Sequence, residues 1–467
     1  MRSLLFAVAV AVAAAVAVAG CGASPAATPP PPRDPCRDVA CVTEPPLKNK
    51  VDVLFMLDDG PTMGPKLDAF RAALPRFIAM LDDAAQLGQR VSYHLGVVTA
   101  DLAAGAGIRF IDYDQLAGNG NASDATAQLS ALADVGTGGS DFPQPLEAAY
   151  HALRDPTSGF LRADALLAVV FVSDGDDCSA PPATDLFDAS ATQYGPLTRF
   201  RCTQFGIACD GMPVPAMAVS GLTDCTSQTT ANGGKLLDLD RYFSFFDAPA
   251  AQGGVKVDPQ DVVFVGITGP REPVGVTIAS PCGDPSVAQC AALAHSCAST
   301  TNAQLFGDPA VRLDAVIQSA RHSALGSICD GDDDAPLRSL VSLVTARASG
   351  GCLNAPVAAR ADGTPDCIAE DVTANPDGTT TTTEVPSCAE NGHVTPCWEL
   401  VDRLPQYDSQ GCTTIPPPST CKLPPSCQPV IDPLDGTRQL YTVDVDRTGT
   451  PLPPPGTTTQ ISCATIA

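Results

Sequence analysis

Residues 51–63 read VDVLFMLDDGPTM and residues 166–177 read LLAVVFVSDGDD, and these two stretches decide the fold. Each is a run of strand-forming apolar residues that ends abruptly at an aspartate, Asp58 or Asp174. Strands that are apolar on both faces are typical of the centre of a parallel α/β sheet. In such sheets, ligands bind beyond the carboxyl ends of the strands. We therefore expect Asp58 and Asp174 to lie side by side in one crevice.

The residues around these strands alternate between strand and helix patterns. Further strands are predicted over 91–99, 108–111 and 261–268, and helices over 66–81, 146–153 and 240–246 and from 309 and 336. Pro75 is expected to kink or divide the first helix. The alternation predicts an α/β fold with a doubly wound, mostly parallel sheet flanked by helices.

The stretch around Asp58 resembles the start of a von Willebrand factor type A (VWA) domain, which is a Rossmann-like fold. In that family the first strand runs into Asp-x-Ser-x-Ser, part of a metal-ion-dependent adhesion site. Here Gly60 replaces the first Ser and Thr62 the second. The resemblance covers about residues 48–350 and implies one VWA-like domain.

Two later motifs extend the resemblance. The family often has Gly-Gly-Thr-Asp in a loop before a helix, and residues 138–141 read GGSD, which makes Ser140 the matching hydroxyl. The family's last site residue is an Asp in Thr-Asp-Gly, and residues 173–175 read SDG, which makes Asp174 the match.

The resemblance implies that Asp58, Thr62, Ser140 and Asp174 bind Mg2+ or a similar divalent cation, because hard cations prefer oxygen ligands. Since Gly60 removes one hydroxyl, binding is expected to be weakened roughly tenfold. The alternative is a VWA scaffold without metal, in which the two aspartates only hydrogen-bond the loops at the strand ends. Three further aspartates in these loops are interpreted as a solvated acidic rim: Asp59, Asp176 and Asp177.

The N-terminus has the layout of a lipoprotein signal peptide over residues 1–20, with a basic start, an apolar run and small residues. Val-Ala-Gly followed by Cys21 is similar to the bacterial lipobox, which implies lipidation of Cys21; an ordinary secretory signal or an uncleaved anchor is the alternative. Gly22, which is not an Asp, favours the outer membrane by the same resemblance. Residues 21–47 form a Pro-rich spacer.

The chain has 19 cysteines, and setting aside Cys21 leaves an even number. That many cysteines without any C-x-x-C favours disulfides in an oxidising compartment.

Residues 178–235 are predicted to be a disulfide-rich insertion that either lies near the crevice or covers the sheet edge. Residues 351–467 are predicted to be a Cys/Pro/Thr-rich appendage with a short strand over 441–445. The acidic run 330–334 is not an EF-hand, because Val341 stands where the loop needs Glu.

The formal net charge of −25 excludes nucleic acid as a partner, since like charges repel. No G-x-S-x-G or H-E-x-x-H motif occurs, so the protein is not expected to be an enzyme.

The sequence predicts a lipid-anchored cell-envelope protein that binds a protein or surface polymer. A metal-free structural or assembly protein of the outer membrane and a secreted hydrolase with an unrecognised site are the alternatives.

Overall fold

The computed structural model describes residues 41–43, 48–86, 91–102, 107–115, 121–348, 353, 355–374, 379–402, 430–434, 436–446, 450 and 457–466. The predicted signal peptide, Cys21 and all of the spacer except residues 41–43 lie outside these residues. Within them, no helix is long and apolar enough to cross a membrane.

The largest element is a six-stranded sheet. Its strands are β1 (Lys50–Leu57), β2 (Ser92–Thr99), β3 (Arg109–Asp114), β4 (Leu166–Val172), β5 (Val262–Thr268) and β6 (His322–Ser327), in the order β6-β5-β4-β1-β2-β3. All neighbouring strands are parallel except β3, which is an antiparallel edge. The prediction of a mostly parallel sheet is confirmed. The aspartate-ended strands β1 and β4 are direct neighbours.

Helices cover both faces of this sheet. They are α1 (Gly64–Gln86), α2 (Ala122–Leu132), α3 (Pro145–Leu153), α5 (Asp240–Asp247), α6 (Val311–Ser319) and α7 (Asp334–Ala348). The short helix α4 (Phe200–Gly206) packs within the insertion instead. Val53 and Phe55 of β1 pack in one core with α1, α2 and α7, and Leu54 and Met56 pack in the other with α3, α5 and α6. This alternation along β1 is why its sequence is apolar throughout. Helix α1 continues through Pro75 rather than dividing there.

The insertion after β4 is ordered by short elements and disulfides. Strands Ile207–Cys209, Met212–Pro213 and Thr226–Ser227 form one small sheet, and Val219–Leu222 pairs with Val274–Ala279, which pairs with Cys290–Leu293. Two disulfides lie within it, Cys178–Cys202 and Cys209–Cys225. Two more follow, Cys282–Cys290 and Cys297–Cys329. The insertion, which has no clear period in sequence, is therefore structured.

The C-terminal region forms β structure with a small core of its own. Its strands are β7 (Cys367–Ala374), β8 (Thr380–Val385), β9 (Cys397–Asp402), β10 (Tyr441–Asp446) and β11 (Thr457–Ala464). Trp398, Val385 and Ile461 are buried together, and disulfides join Cys367–Cys463 and Cys388–Cys397. The strand predicted over 441–445 is present. Residues Cys41–Thr43, from the predicted spacer, pair with β11 and so form a four-stranded sheet with β11, β7 and β8.

Candidate functional site at the carboxyl ends of the strands

Asp58 and Asp174 lie at adjacent strand ends, and both side chains are fully buried. The backbone N–H of Asp58 donates to the carbonyl of Val172 at 2.9 Å, which joins the ends of β1 and β4. The Asp58 carboxylate accepts from the N–H of Gly60 at 2.8 Å and from the hydroxyl of Ser173 at 2.7 Å. The predicted convergence of the two aspartates is thus present.

The Asp174 carboxylate binds two cationic side chains. Lys66 Nζ lies 2.6 Å from Oδ2 and Arg199 Nη1 lies 2.7 Å from Oδ1, and the Thr62 hydroxyl also donates to this carboxylate. Lys66 is fully buried, donates to the carbonyl of Thr62 at 3.1 Å, and lies 3.6 Å from the centroid of the Phe306 ring. Charge-assisted hydrogen bonds of this kind are the strong ones.

The charges in the crevice compensate one another. Burial raises the pKa of the Asp58 carboxyl, and Arg199 offsets part of that effect. Burial also opposes ionisation of Asp174, but Arg199 and Lys66 outweigh it and hold the pKa of Asp174 below its ordinary value. Although burial disfavours a charged guanidinium, Asp174 and Asp58 raise the pKa of Arg199. Asp174 therefore lies between two basic side chains that favour its carboxylate form.

Ser140 uses its hydroxyl within its own loop. That hydroxyl accepts from the backbone N–H of Phe142 at 3.0 Å. The carbonyl of Ser140 faces Gly60, at 3.4 Å from the place that a Cβ would take there. Of the four predicted metal ligands, Thr62 and Asp174 are in contact, Asp58 is beside them, and Ser140 approaches through its backbone.

These residues do not fit a divalent cation. Both oxygens of Asp174 hold cationic donors, and both oxygens of Asp58 accept hydrogen bonds from the protein. Lys66 and Arg199 already lie against both oxygens of Asp174, and each would repel a divalent ion bound there. In the described part of the chain, no group of three or more His, Cys, Asp or Glu side chains is placed to hold a metal ion. Metal binding stays a prediction from resemblance that these contacts oppose.

The interpretation of Asp59, Asp176 and Asp177 as a solvated rim is wrong, because all three are buried. Asp176 accepts from the N–H of Arg312 at 2.9 Å and of Leu313 at 3.0 Å, so it caps the start of α6. Asp177 accepts from the N–H of Leu146 at 3.2 Å, at the start of α3, and pairs with the fully buried Arg312 at 3.1 Å. Carboxylates at helix N-termini complement the helix dipole.

Four site residues were missed from the sequence: Lys66, Ser173, Arg199 and Arg312. Lys66 left a signal, because it lies four residues before Phe70 on the apolar face of the predicted helix. A lysine on such a face implies a buried counter-charge. Arg199 and Arg312 have no comparable signal, since their acidic partners are far away in sequence.

The acidic run 330–334 leads into α7, which begins at Asp334, and it provides a pH-dependent prediction. Asp333 is 4% exposed, and burial together with Asp332, Asp330 and Asp334 raises its pKa to about 7. A carboxyl with a raised folded-state pKa contributes stability below its unfolded pKa and loses it as the pH rises through the folded value.

We therefore expect Asp333→Asn to leave the free energy of unfolding unchanged near pH 4 and to raise it by up to about 4 kcal/mol near pH 8. Urea denaturation of both proteins across this range measures the difference. An Asp333→Asn variant that is equally destabilised at every pH would contradict the expectation.

Comparison with known proteins gives only distant similarities. No protein-family model matches the chain, and no curated protein matches it. Among solved structures, it is similar to the pilus adhesin SpaC from Lactobacillus rhamnosus GG (12% identity, TM-score 0.31, 90% of this chain and 39% of that one). It is also similar to a von Willebrand factor type A structure from Catenulispora acidiphila (11%, 0.28, 92% and 60%) and to the pilus adhesin RrgA from Streptococcus pneumoniae (13%, 0.30, 91% and 57%). The chain thus spans 39% of SpaC, and at these identities the properties of the adhesins are not transferred to it.

Proposed function

We propose that this is a lipid-anchored cell-envelope protein whose VWA-like domain binds a protein or surface polymer through the carboxyl-end face of its sheet, without a divalent metal. The observation that carries the proposal is the crevice itself, in which Lys66 and Arg199 neutralise Asp174 internally. The carboxylate of Asp174 is therefore compensated without a bound ion, and loops surround the face. Loops on a rigid scaffold are where binding residues concentrate.

The loops of this face are held by covalent links. Cys178, four residues after Asp174, is bonded to Cys202, and the Cys297–Cys329 disulfide joins the segment that carries Phe306 to the segment before α7. A surface that is ordered in advance loses less conformational entropy when a partner binds. The insertion also exposes Met212 and Met217, at 68% and 65%, and methionine adapts well to protein surfaces. These features support a binding role over catalysis.

The anchor and location are supported by the sequence alone. The signal-like residues 1–20 and Cys21 support a lipoprotein of the outer membrane. Intact mass of the purified protein tests this directly: a chain that begins at an acylated Cys21 supports the anchor, and an unlipidated start elsewhere refutes it.

A metal-free structural or assembly role is the second candidate, because the same contacts that oppose a metal ion serve internal packing. The two candidates differ in whether the carboxyl-end face touches another molecule. A secreted hydrolase has no supporting residue set in the sequence.

A matched pair of surface variants tests the proposed face. Thr137 is exposed in the loop before Ser140, and Ala163 is exposed just before the amino end of β4. Thr137→Arg and Ala163→Arg add the same side chain at opposite ends of the sheet. With immobilised full-length protein and solubilised envelope extract, we expect Thr137→Arg to reduce capture of the bound component about tenfold, as loss of a central contact of an interface does. Ala163→Arg should bind like wild type, and EDTA should have no effect.

Equal capture by the two variants would reject this face as the binding surface. Loss of capture with EDTA in wild type would reject the metal-free part of the proposal and restore the adhesion-site interpretation.

A further inference from the structure

We propose that Arg199 takes the place of a metal ion in this crevice: its guanidinium is the resident cation, and Gly60 and Gly175 form the slot that holds it. The inference concerns the face proposed above for binding, but it rests on contacts within the chain and does not require a partner.

The slot is shaped by two missing side chains. A Cβ on Gly175 would lie 2.5 Å from Arg199 Nη1, well inside contact distance. A Cβ on Gly60 would lie 3.0 Å from Asp58 Oδ1 and 3.4 Å from Arg199 Nη2. Neither glycine has a positive φ, so the backbone conformation does not demand glycine at these positions. Together the two glycines leave the space in which the guanidinium lies, with the close contact to Arg199 at Gly175.

This explains the departure at Gly60. The VWA pattern places a serine there, as a hydroxyl ligand for the ion. In this chain the guanidinium of Arg199 lies against that position, 3.4 Å from the place of a Cβ, and the Asp58 carboxylate lies closer still, at 3.0 Å, so the arginine occupies the space beside the missing hydroxyl. The missing hydroxyl at Gly60 and the guanidinium of Arg199 therefore belong together: the arginine lies where the family's metal ligand would be.

The insertion positions the arginine. Arg199 comes directly before α4, and Cys202 in the first turn of that helix is bonded to Cys178, four residues after Asp174. The Arg199 Nε also donates to the carbonyl of Asp141 at 3.2 Å. The disulfide therefore fixes the segment that supplies the cation to the segment that supplies its carboxylate, and the side chain is only 19% exposed.

The permanent charge has a functional consequence. A guanidinium does not lose its proton in proteins and is covalently attached, so a chelator cannot remove it. Lys66 supplies the second positive charge on the other oxygen of Asp174. The crevice of this protein is therefore expected to keep its charge balance at any metal concentration.

A double-mutant cycle tests the slot. Gly175→Ala should shift the Arg199 guanidinium away from Asp174 and lower the urea midpoint of the full-length protein, whereas in an Arg199→Ala background the same change should have no effect. Gly138→Ala, where a Cβ would meet nothing within 4 Å, is the control and should be neutral in both backgrounds. If Gly175→Ala lowers the midpoint equally in both backgrounds, the slot does not exist for Arg199 and the proposal fails.

Mn2+ binding measured by calorimetry and electron paramagnetic resonance gives an independent readout. Wild type should not bind Mn2+ at about 1 mM, a concentration at the weak end of the range of specific calcium sites. The Gly60→Ser/Arg199→Ala variant restores the family's hydroxyl and removes the resident cation, so it should bind at least about tenfold more tightly than wild type. Wild-type binding that Asp174→Ala abolishes would overturn the proposal. Neither result depends on the partner capture described above, so the two proposals fail separately.

Discussion

Replacing Arg312 by leucine is expected to lower the free energy of unfolding by about 3–5 kcal/mol. The Arg312 side chain is fully buried and donates to the Asp177 carboxylate, to the Ser227 hydroxyl at 2.5 Å and to the carbonyl of Leu237 at 2.8 Å. Its removal leaves Asp177 as a buried charge without its cation and leaves the carbonyl unsatisfied. Because Asp177 also caps α3, the loss reaches the helix that packs against β1 and β2.

Urea denaturation under non-reducing conditions measures this effect. Arg71→Leu is the control, since Arg71 pairs with Asp68 and Asp134 on the surface and such pairs contribute less than about 1 kcal/mol. If Arg312→Leu cost no more than Arg71→Leu, the buried contacts of Arg312 with Asp177, Ser227 and Leu237 would not stabilise the fold.

Asp174→Asn is expected to cost about 3–5 kcal/mol in metal-free buffer that contains EDTA. The change removes the charge that compensates both Lys66 and Arg199, and Lys66 has no exposure to solvent. Because the folded-state pKa of Asp174 is lowered, its contribution is present above the ordinary carboxyl pKa and is lost as the pH falls through the folded value. The difference between wild type and Asp174→Asn should therefore disappear in acid.

The metal-binding interpretation predicts another result for the same variant. In an empty adhesion site, removal of one carboxylate relieves repulsion between neighbouring aspartates, so Asp174→Asn would be neutral or stabilising in EDTA. Asp141→Asn, at an exposed loop position in the same crevice, is the control for a nearby change of charge. A neutral Asp174→Asn would contradict the internal salt bridges.

The sheet was predictable because burial on both faces leaves a continuous apolar run, as in β1, β4 and β5. The edge strand β6 was missed, because its residues are only partly buried and Leu325 is 48% exposed. Helix α2 was missed as well, since only Ala125 and Leu129 are buried in it and the apolar period is weak. Apolar runs and apolar periods in a sequence thus indicate burial. Elements at the edge of the sheet are less buried, so their patterns are weaker.

The positions of the two aspartates in the crevice were predictable from the strand ends, but their partners were not. Arg312 reaches Asp177 from 135 residues away, and Arg199 comes from an insertion without sequence period. Long-range ion pairs leave no local signature, which is why Asp176 and Asp177 looked like solvent-exposed charges. The replacement of serine by Gly60 was visible in the sequence, yet its physical reason is apparent only with Arg199 beside it.

The most direct test of the account is the unfolding free energy of the wild-type full-length protein in EDTA and in about 10 mM MgCl2 at matched ionic strength. An ion that bound the folded protein with a Kd of about 0.1 mM would add about 2.7 kcal/mol under these conditions. The resident cations Lys66 and Arg199 predict that the urea midpoint is the same in both buffers. An increase of about 2 kcal/mol or more in MgCl2 that Asp58→Asn abolishes would contradict the account, because it would place a divalent ion where the structure has an arginine.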